Sequence, residues 1–195
     1  MDRDLVVRAR GGDREAFARL AAGSIARLDA VARLITRDPE RAKDAVQETL
    51  ARAWRDLPGL RDPDRFDAWL RQLLVHACMD ELRGVRRRAI EVVLLDVHHP
   101  TTPDGSASLA DRDALDRAFR RLDPEQRSLV VLYYFDGLSL GEAARAVGIP
   151  QGTAKSRLSR ARDTLRATLD ADSRPGRELA EGGRARPRTT ASTAS

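Results

Sequence analysis

A chain of 195 residues can bury one ordinary core or two small ones, and although 42% of its residues are hydrophobic, no apolar run nears the roughly 18 residues of a membrane span. Met1-Asp2-Arg3-Asp4 leads into no apolar leader and the single Cys78 builds no disulfide framework, so no membrane insertion and a cytoplasmic location are expected. The net charge of +5 is uneven: residues 1–88 carry 19 basic and 15 acidic groups, 89–150 carry 6 and 10, and 151–195 carry 10 and 5, which suits contact with a polyanion at both ends.

In chain order the first elements are helices. Asp13 is a candidate N-cap, followed by Phe17, Leu20, Ala21, Ile25, Leu28 and Ala32 at helical spacing; Gly23-Ser24 is a candidate break, so one or two helices fit. Asp38-Pro39-Glu40 starts another helix, with a cap, a Pro at the first helical position and an acid in the first turn. Its apolar stripe is Ala42, Val46, Leu50, Ala53 and Leu57, and Pro58-Gly59 ends it. After the turn Asp62-Pro63-Asp64, a third helix carries Phe66, Trp69, Leu70, Leu73, Ala77 and Leu82 and runs into Arg83, Arg86, Arg87 and Arg88. A first helical domain over residues 1–92 is expected.

Residues 93–112 read as a flexible linker, because His98-His99-Pro100 through Ser106 is turn chemistry without an apolar face. Periodicity resumes at Leu115, Ala118, Phe119 and Leu122, and Asp123-Pro124-Glu125 starts a helix before the apolar stretch Leu129 to Phe135. A second helical domain is placed at 113–171. The tail, 172–195, is rich in Arg, Gly, Pro, Ser and Thr and is expected to be disordered. The predicted fold is therefore all-α, two small helical domains joined by a linker.

The most specific local signal is a helix-turn-helix at 139–166. Ser139 with Glu142 forms a capping box, Ala144 is small enough for a helix to cross closely, and Gly148 and Pro150 end one helix and open the next. Ala154, Leu158, Ala161 and Leu165 make one buried stripe, which leaves Lys155, Ser156, Ser159, Arg160 and Arg162 as a donor-rich face suited to a major groove. That pattern points to DNA binding. The abundance of Arg over Lys, which occurs only at Lys43 and Lys155, adds nothing to it.

Tyr133-Tyr-Phe-Asp-Gly-Leu-Ser followed by Gly148-Ile-Pro-Gln-Gly-Thr-Ala-Lys-Ser-Arg-Leu-Ser-Arg-Ala-Arg162 resembles region 4 of extracytoplasmic-function (ECF, group IV) sigma factors of the sigma-70 family. Far upstream, Asp44-Ala-Val-Gln-Glu-Thr-Leu-Ala-Arg-Ala-Trp54 resembles region 2.2, and Phe66-Asp-Ala-Trp-Leu70 through Asp80-Glu-Leu-Arg83 resembles regions 2.3 to 2.4. Two blocks in this order, across most of residues 13–168, are far more specific than a helix-turn-helix alone. The resemblance implies a region 2-like domain and a region 4-like domain, with bacterial core RNA polymerase and promoter DNA as partners and an anti-sigma factor as a further candidate partner. The expected activity is promoter selection and assisted melting, with no enzymatic reaction, cofactor or metal.

The resemblance further implies that Asp44, Gln47 and Glu48 dock on the clamp helices of the polymerase largest subunit. Phe66, Trp69, His76, Asp80, Arg83, Arg86 and Arg87, with Arg88, fall at the −10 element, and the loop from Leu57 to Phe66 would receive a flipped base. Thr153, Lys155, Ser156, Ser159, Arg160 and Arg162 fall at the −35 element. The linker corresponds to region 3.2, where its acidic balance suits a passage otherwise filled by RNA. His76 departs from the family, which usually has Asn there. Two rival readings are a helix-turn-helix regulator that is not a sigma subunit, which leaves Asp44 to Trp54 and Phe66 to Arg88 unexplained, and a metal enzyme using His76, Cys78, His98 and His99, whose spacing matches no metal site.

Overall fold

The computed structural model describes residues 2–92 and 107–172, and among these every regular element is helical. In order they are α1 (Arg3–Arg10), α2 (Arg14–Thr36), α3 (Pro39–Asp56), 3-10 turns at Leu57–Gly59 and Pro63–Arg65, α4 (Phe66–Val92), α5 (Ala107–Arg121), α6 (Pro124–Val130) with a π-helical turn at Val131–Phe135, α7 (Leu140–Val147) and α8 (Gln151–Asp172). The expected tail and most of the expected linker lie outside the described residues.

Local capping chemistry sets the starts. Asp13 accepts from the Ala16 amide at 3.0 Å, and Asp38 accepts from the amides of Glu40 and Arg41 at 3.0 and 3.1 Å. Gly23-Ser24 does not break α2. The buried Ser24 hydroxyl donates to the Leu20 carbonyl at 2.8 Å, which satisfies it within the helix. Arg37 then ends α2 in the left-handed region, at φ 59. Two boundaries differ from the sequence reading. Helix α1 is added at the front, where Asp2 caps it and Val6 and Ala9 are buried. Helix α5 begins at Ala107, inside the stretch expected to be linker.

In the first half, α2, α3 and α4 pack on one another. Helix α3 presents small side chains, with Ala42, Ala45, Thr49 and Ala53 fully buried, so its neighbours approach closely. Helix α4 is apolar on more than one side, burying Phe66, Leu70, Leu74, Val75 and Cys78, because α2 and α3 cover part of it and α7 covers another part. The two halves thus share a core: one hydrophobic cluster runs from Val6 through Leu74 to Leu129, Leu132, Ala143 and Ala146. A smaller cluster of Leu122, Val130 and Ala161 seats α8 on α5 and α6.

Candidate nucleic-acid interface

The helix-turn-helix is built by bonds between close neighbours. The Ser139 hydroxyl accepts from the Glu142 amide at 3.3 Å, while Glu142 accepts from the Ser139 amide at 2.9 Å, closing the capping box. Bonds from the Ser139 hydroxyl and then its amide hold the Glu142 carboxyl below the usual carboxylate range. Gly148 turns the chain at φ 77, where a side chain would be strained, and the Ile149 amide returns to the Ala144 carbonyl at 3.0 Å. Ala144, Ala154 and Ala161 are buried, so α8 is pressed against its supports.

The opposite face of α8 is open. Lys155, Ser156, Ser159, Arg160 and Arg162 are exposed, whereas Thr153 is half-buried and accepts the Ser156 hydroxyl on its carbonyl at 2.9 Å. Arg157, between the two serines, is turned away from this face and pairs with Glu125 at the start of α6. It acts as a strut between α8 and the start of α6.

On α3, Asp44, Gln47 and Glu48 are all exposed. Glu48 is not isolated: Arg52 Nε donates to it at 2.6 Å and Arg52 Nη1 reaches Asp80 of α4 at 3.1 Å. Arg83 also donates to Asp80, at 2.6 Å. The Arg83 guanidinium first, and Arg52 second, hold the Asp80 carboxyl below its ordinary range. Arg52, which lies within the region 2.2-like stretch but was not singled out there, therefore joins the acidic face of α3 to the basic end of α4.

The other expected −10 residues divide. Phe66 is only 2% exposed and lies in the core, so its ring cannot meet a base while the fold is intact; it positions Trp69, against which it packs at 6.0 Å. Trp69 is half-buried, and half-buried His76 lines a cleft toward Gly148. Arg86, Arg87 and Arg88 belong to α4, but their side chains lie outside the described residues. The loop between α3 and α4 is held by α1, since Arg10 donates to the Leu60 carbonyl at 3.3 Å and Arg3 pairs with Asp64 at 3.4 Å. Supporting that loop is the structural role of the helix the sequence reading lacked.

Among the described residues no cluster of three or more His, Cys, Asp or Glu is arranged to hold a metal. Cys78 is buried, and burial pushes its thiol up to about 12. His98 and His99 lie outside the described residues. No described helix is long and apolar enough to cross a membrane.

Comparison with known proteins agrees with this layout. The Sigma-70 region 2 family model matches residues 24–88 and the Sigma-70 region 4 model matches residues 112–165. The chain is 36% identical over 168 residues to the ECF RNA polymerase sigma factor SigM of Mycobacterium tuberculosis, covering 86% of this chain and 84% of the relative. It is 34% identical over 148 residues to the RNA polymerase sigma-E factor of Streptomyces coelicolor, covering 76% of this chain and 82% of the relative. Among solved structures it resembles CnrH in complex with the cytosolic domain of CnrY, with a TM-score of 0.65 and 30% identity over 88% of this chain and 98% of the other. It also resembles the sigma factor RpoE in complex with the anti-sigma factor NepR from Bartonella quintana, with a TM-score of 0.62 and 27% identity over 80% of this chain and 98% of the other. With two family regions matched in order and relatives similar over most of its length, the chain belongs to the ECF group of sigma-70 family RNA polymerase sigma factors.

Proposed function

We propose that this chain is a sigma subunit that carries bacterial core RNA polymerase to promoters and helps to open them, with no catalysis of its own. The observation that carries this reading is the pairing of two surfaces in one chain: an exposed acidic and polar face on α3, and an exposed donor-rich face on α8. A helix-turn-helix regulator needs only the second. Asp44, Gln47 and Glu48 dock on polymerase; Trp69, His76, Asp80 and Arg83, with Arg86 and Arg87, meet the −10 element; Lys155, Ser156, Ser159, Arg160 and Arg162, backed by Thr153, meet the −35 element. The functional division is a region 2-like unit over 1–92, a connector over 93–112, a region 4-like unit over 113–171 and a tail over 172–195. The site of action is the cytoplasm.

The solved relatives CnrH and RpoE are each in a complex, RpoE with an anti-sigma factor. An anti-sigma factor is accordingly a proposed partner here. The test is transcription in vitro from a promoter library with core polymerase, with and without this chain. Promoter-specific initiation dependent on the chain is expected. Tight sequence-specific binding of duplex DNA by the free monomer, without stimulation of polymerase, would instead identify a conventional regulator.

A further inference from the structure

The loop between α3 and α4 closes on itself only in pieces. The Leu60 amide donates to the Leu57 carbonyl at 3.0 Å, the Arg65 amide to the Asp62 carbonyl at 3.1 Å, and the Asp64 amide to the Asp62 carboxylate at 3.1 Å. These bonds shape the two 3-10 turns separately, and none of them crosses the step from Leu60 to Asp62. Leu57 and Phe66 anchor the two ends in the core, whereas every residue from Pro58 to Arg65 is exposed or half-buried. A stretch held only at its ends keeps backbone entropy that must be given up before it can grip a ligand.

Helix α1 supplies the tie in the middle. Val6 and Ala9 bury one side of it, and Arg3 and Arg10, two helical turns apart, share another. From there Arg10 Nη1 donates to the Leu60 carbonyl at 3.3 Å and Arg3 Nε reaches Asp64 at 3.4 Å, so the loop is touched at both of its turns. The two ties are unequal. Arg3 and Asp64 are largely exposed, and such a pair is worth little; Arg10 is half-buried and its acceptor is a main-chain carbonyl, so it fixes the backbone of the loop itself. The helix is in turn set firmly on α2. Gly12 turns the chain at φ 94, and the Asp13 amide donates to the Arg8 carbonyl at 3.1 Å. The Asp13 carboxylate accepts from Arg8 Nε and Nη2 at 3.0 and 2.7 Å while it caps α2 through the Ala16 amide.

We propose that α1 braces this loop in the shape that receives a flipped −10 base, and that Arg10 is the positioning residue of the brace. The proposal rests on the sigma reading above and on the loop as the receiver of that base. A base leaves its stack at a cost in free energy, and a receiving loop that must be ordered in the same step adds to that cost. A loop already fixed at Leu60 adds nothing. Without Arg10 the Leu60 carbonyl, on a half-buried residue, can turn to water, so the fold loses little while the loop gains freedom. The loss is therefore expected in base capture and not in folding or in assembly with polymerase, whose proposed contacts Asp44, Gln47 and Glu48 lie on α3.

The test uses the full chain bound to core polymerase and a single-stranded oligonucleotide carrying the −10 element of a promoter that the chain transcribes. Wild-type transcription, measured first, shows separately whether the sigma reading stands. An abasic site is then moved along the element, and fluorescence anisotropy reads the affinity of wild type and of Arg10→Ala for each strand. Wild type is expected to lose affinity at one abasic position above the rest. Arg10→Ala should bind the intact strand about tenfold more weakly, yet bind the strand abasic at that position as well as wild type does. Helicity by circular dichroism and assembly with core polymerase should be unchanged. Arg10→Lys, which keeps a donor for the Leu60 carbonyl, should recover part of the loss, and Arg3→Ala should lose less than Arg10→Ala. Equal binding of the intact strand by Arg10→Ala and wild type overturns the brace, and no recovery in Arg10→Lys overturns the assignment to Arg10. A loss of the same size on every strand also overturns it, since a general defect of fold or assembly gives that pattern. Wild type insensitive to every abasic position overturns the base-receiving role of the loop and the brace with it.

Discussion

Arg127 Nη1, on α6, donates to the carbonyl of Ile35 in the last turn of α2 at 2.8 Å. Carbonyls there have no partner within their own helix, and this guanidinium supplies one from the other half of the molecule. Its Nη2 donates to the Leu122 carbonyl at 3.1 Å. The side chain is 8% exposed, and burial, helped by neighbouring Arg37, lowers its pKa to about 10. Arg37 itself pairs with Asp116 of α5. Two arginines thus stitch the end of α2 to α5 and α6.

Removing Arg127 should therefore cost more than a surface arginine does. Arg127→Ala strips two buried carbonyls of their donor and leaves a void, a loss of about 2–4 kcal/mol. Arg127→Lys, whose ammonium lacks the planar fork, should fall between Ala and wild type. Urea denaturation followed by circular dichroism measures both. Full stability in Arg127→Ala would show that water replaces these bonds at no cost.

The capping box gives a prediction in pH. Because the folded Glu142 carboxyl is held below its ordinary value of 4.5, its contribution is present above that value and is lost as pH falls through the lower, folded one. Ser139→Ala should destabilise the chain by about 1 kcal/mol at pH 7, as loss of an N-cap does. Glu142→Gln should flatten the acid limb of stability against pH, since it has no proton to take up. Thermal melts of the three proteins between pH 3 and 7 check this, and parallel curves for wild type and Glu142→Gln would refute it.

The proposed polymerase face is tested by charge reversal. Asp44→Arg with Glu48→Arg leaves the buried stripe Ala42, Ala45, Val46 and Thr49 untouched, so α3 should still fold. Glu48→Arg also sets a second guanidinium beside Arg52, but the tie it removes is an exposed pair worth little to stability. Helicity should be retained while assembly with core polymerase drops at least a hundredfold. Normal assembly would move the contact elsewhere on the chain.

What the sequence made legible was the chemistry that acts over three or four residues. Asp13, Asp38 and Ser139 cap helices as their positions predict, and Asp123 does the same with Gln126, because a cap and its amides are neighbours in the chain. Helix α1 was harder to see, since its eight residues bury only Val6 and Ala9 and carry too short a period to stand out. The junction between the halves was invisible for a different reason. Arg27, Arg71 and Arg127 look like the other arginines of an arginine-rich chain until folding brings each beside a group 65 or more residues away. Phe66 stood both on the apolar stripe of its helix and, by its motif, at the −10 element, and three-dimensional packing keeps the first placement by burying its ring in the core.

The last prediction separates base reading from phosphate binding on α8. Lys155 and Arg162 are both exposed and seven residues apart, so they share one side of the helix and sit about 10 Å from each other along its axis. Helix-turn-helix proteins present the N-terminal residues of the second helix to base edges, in a groove about 8.5 Å deep. Lys155 lies within the first turns of α8, where its ammonium can donate to guanine O6 and N7; Arg162, two turns on, is placed for the phosphates at the groove edge. Lys155→Ala should cost about 1–3 kcal/mol at a cognate promoter and relax preference at one or two base pairs. Arg162→Ala should weaken all promoters about equally and reduce the salt slope by about one. A promoter-library transcription assay on both variants at two salt concentrations reads preference and salt dependence together. If Lys155→Ala lowers output uniformly with the base preference unchanged while Arg162→Ala shifts it, the two roles are assigned to the wrong residues.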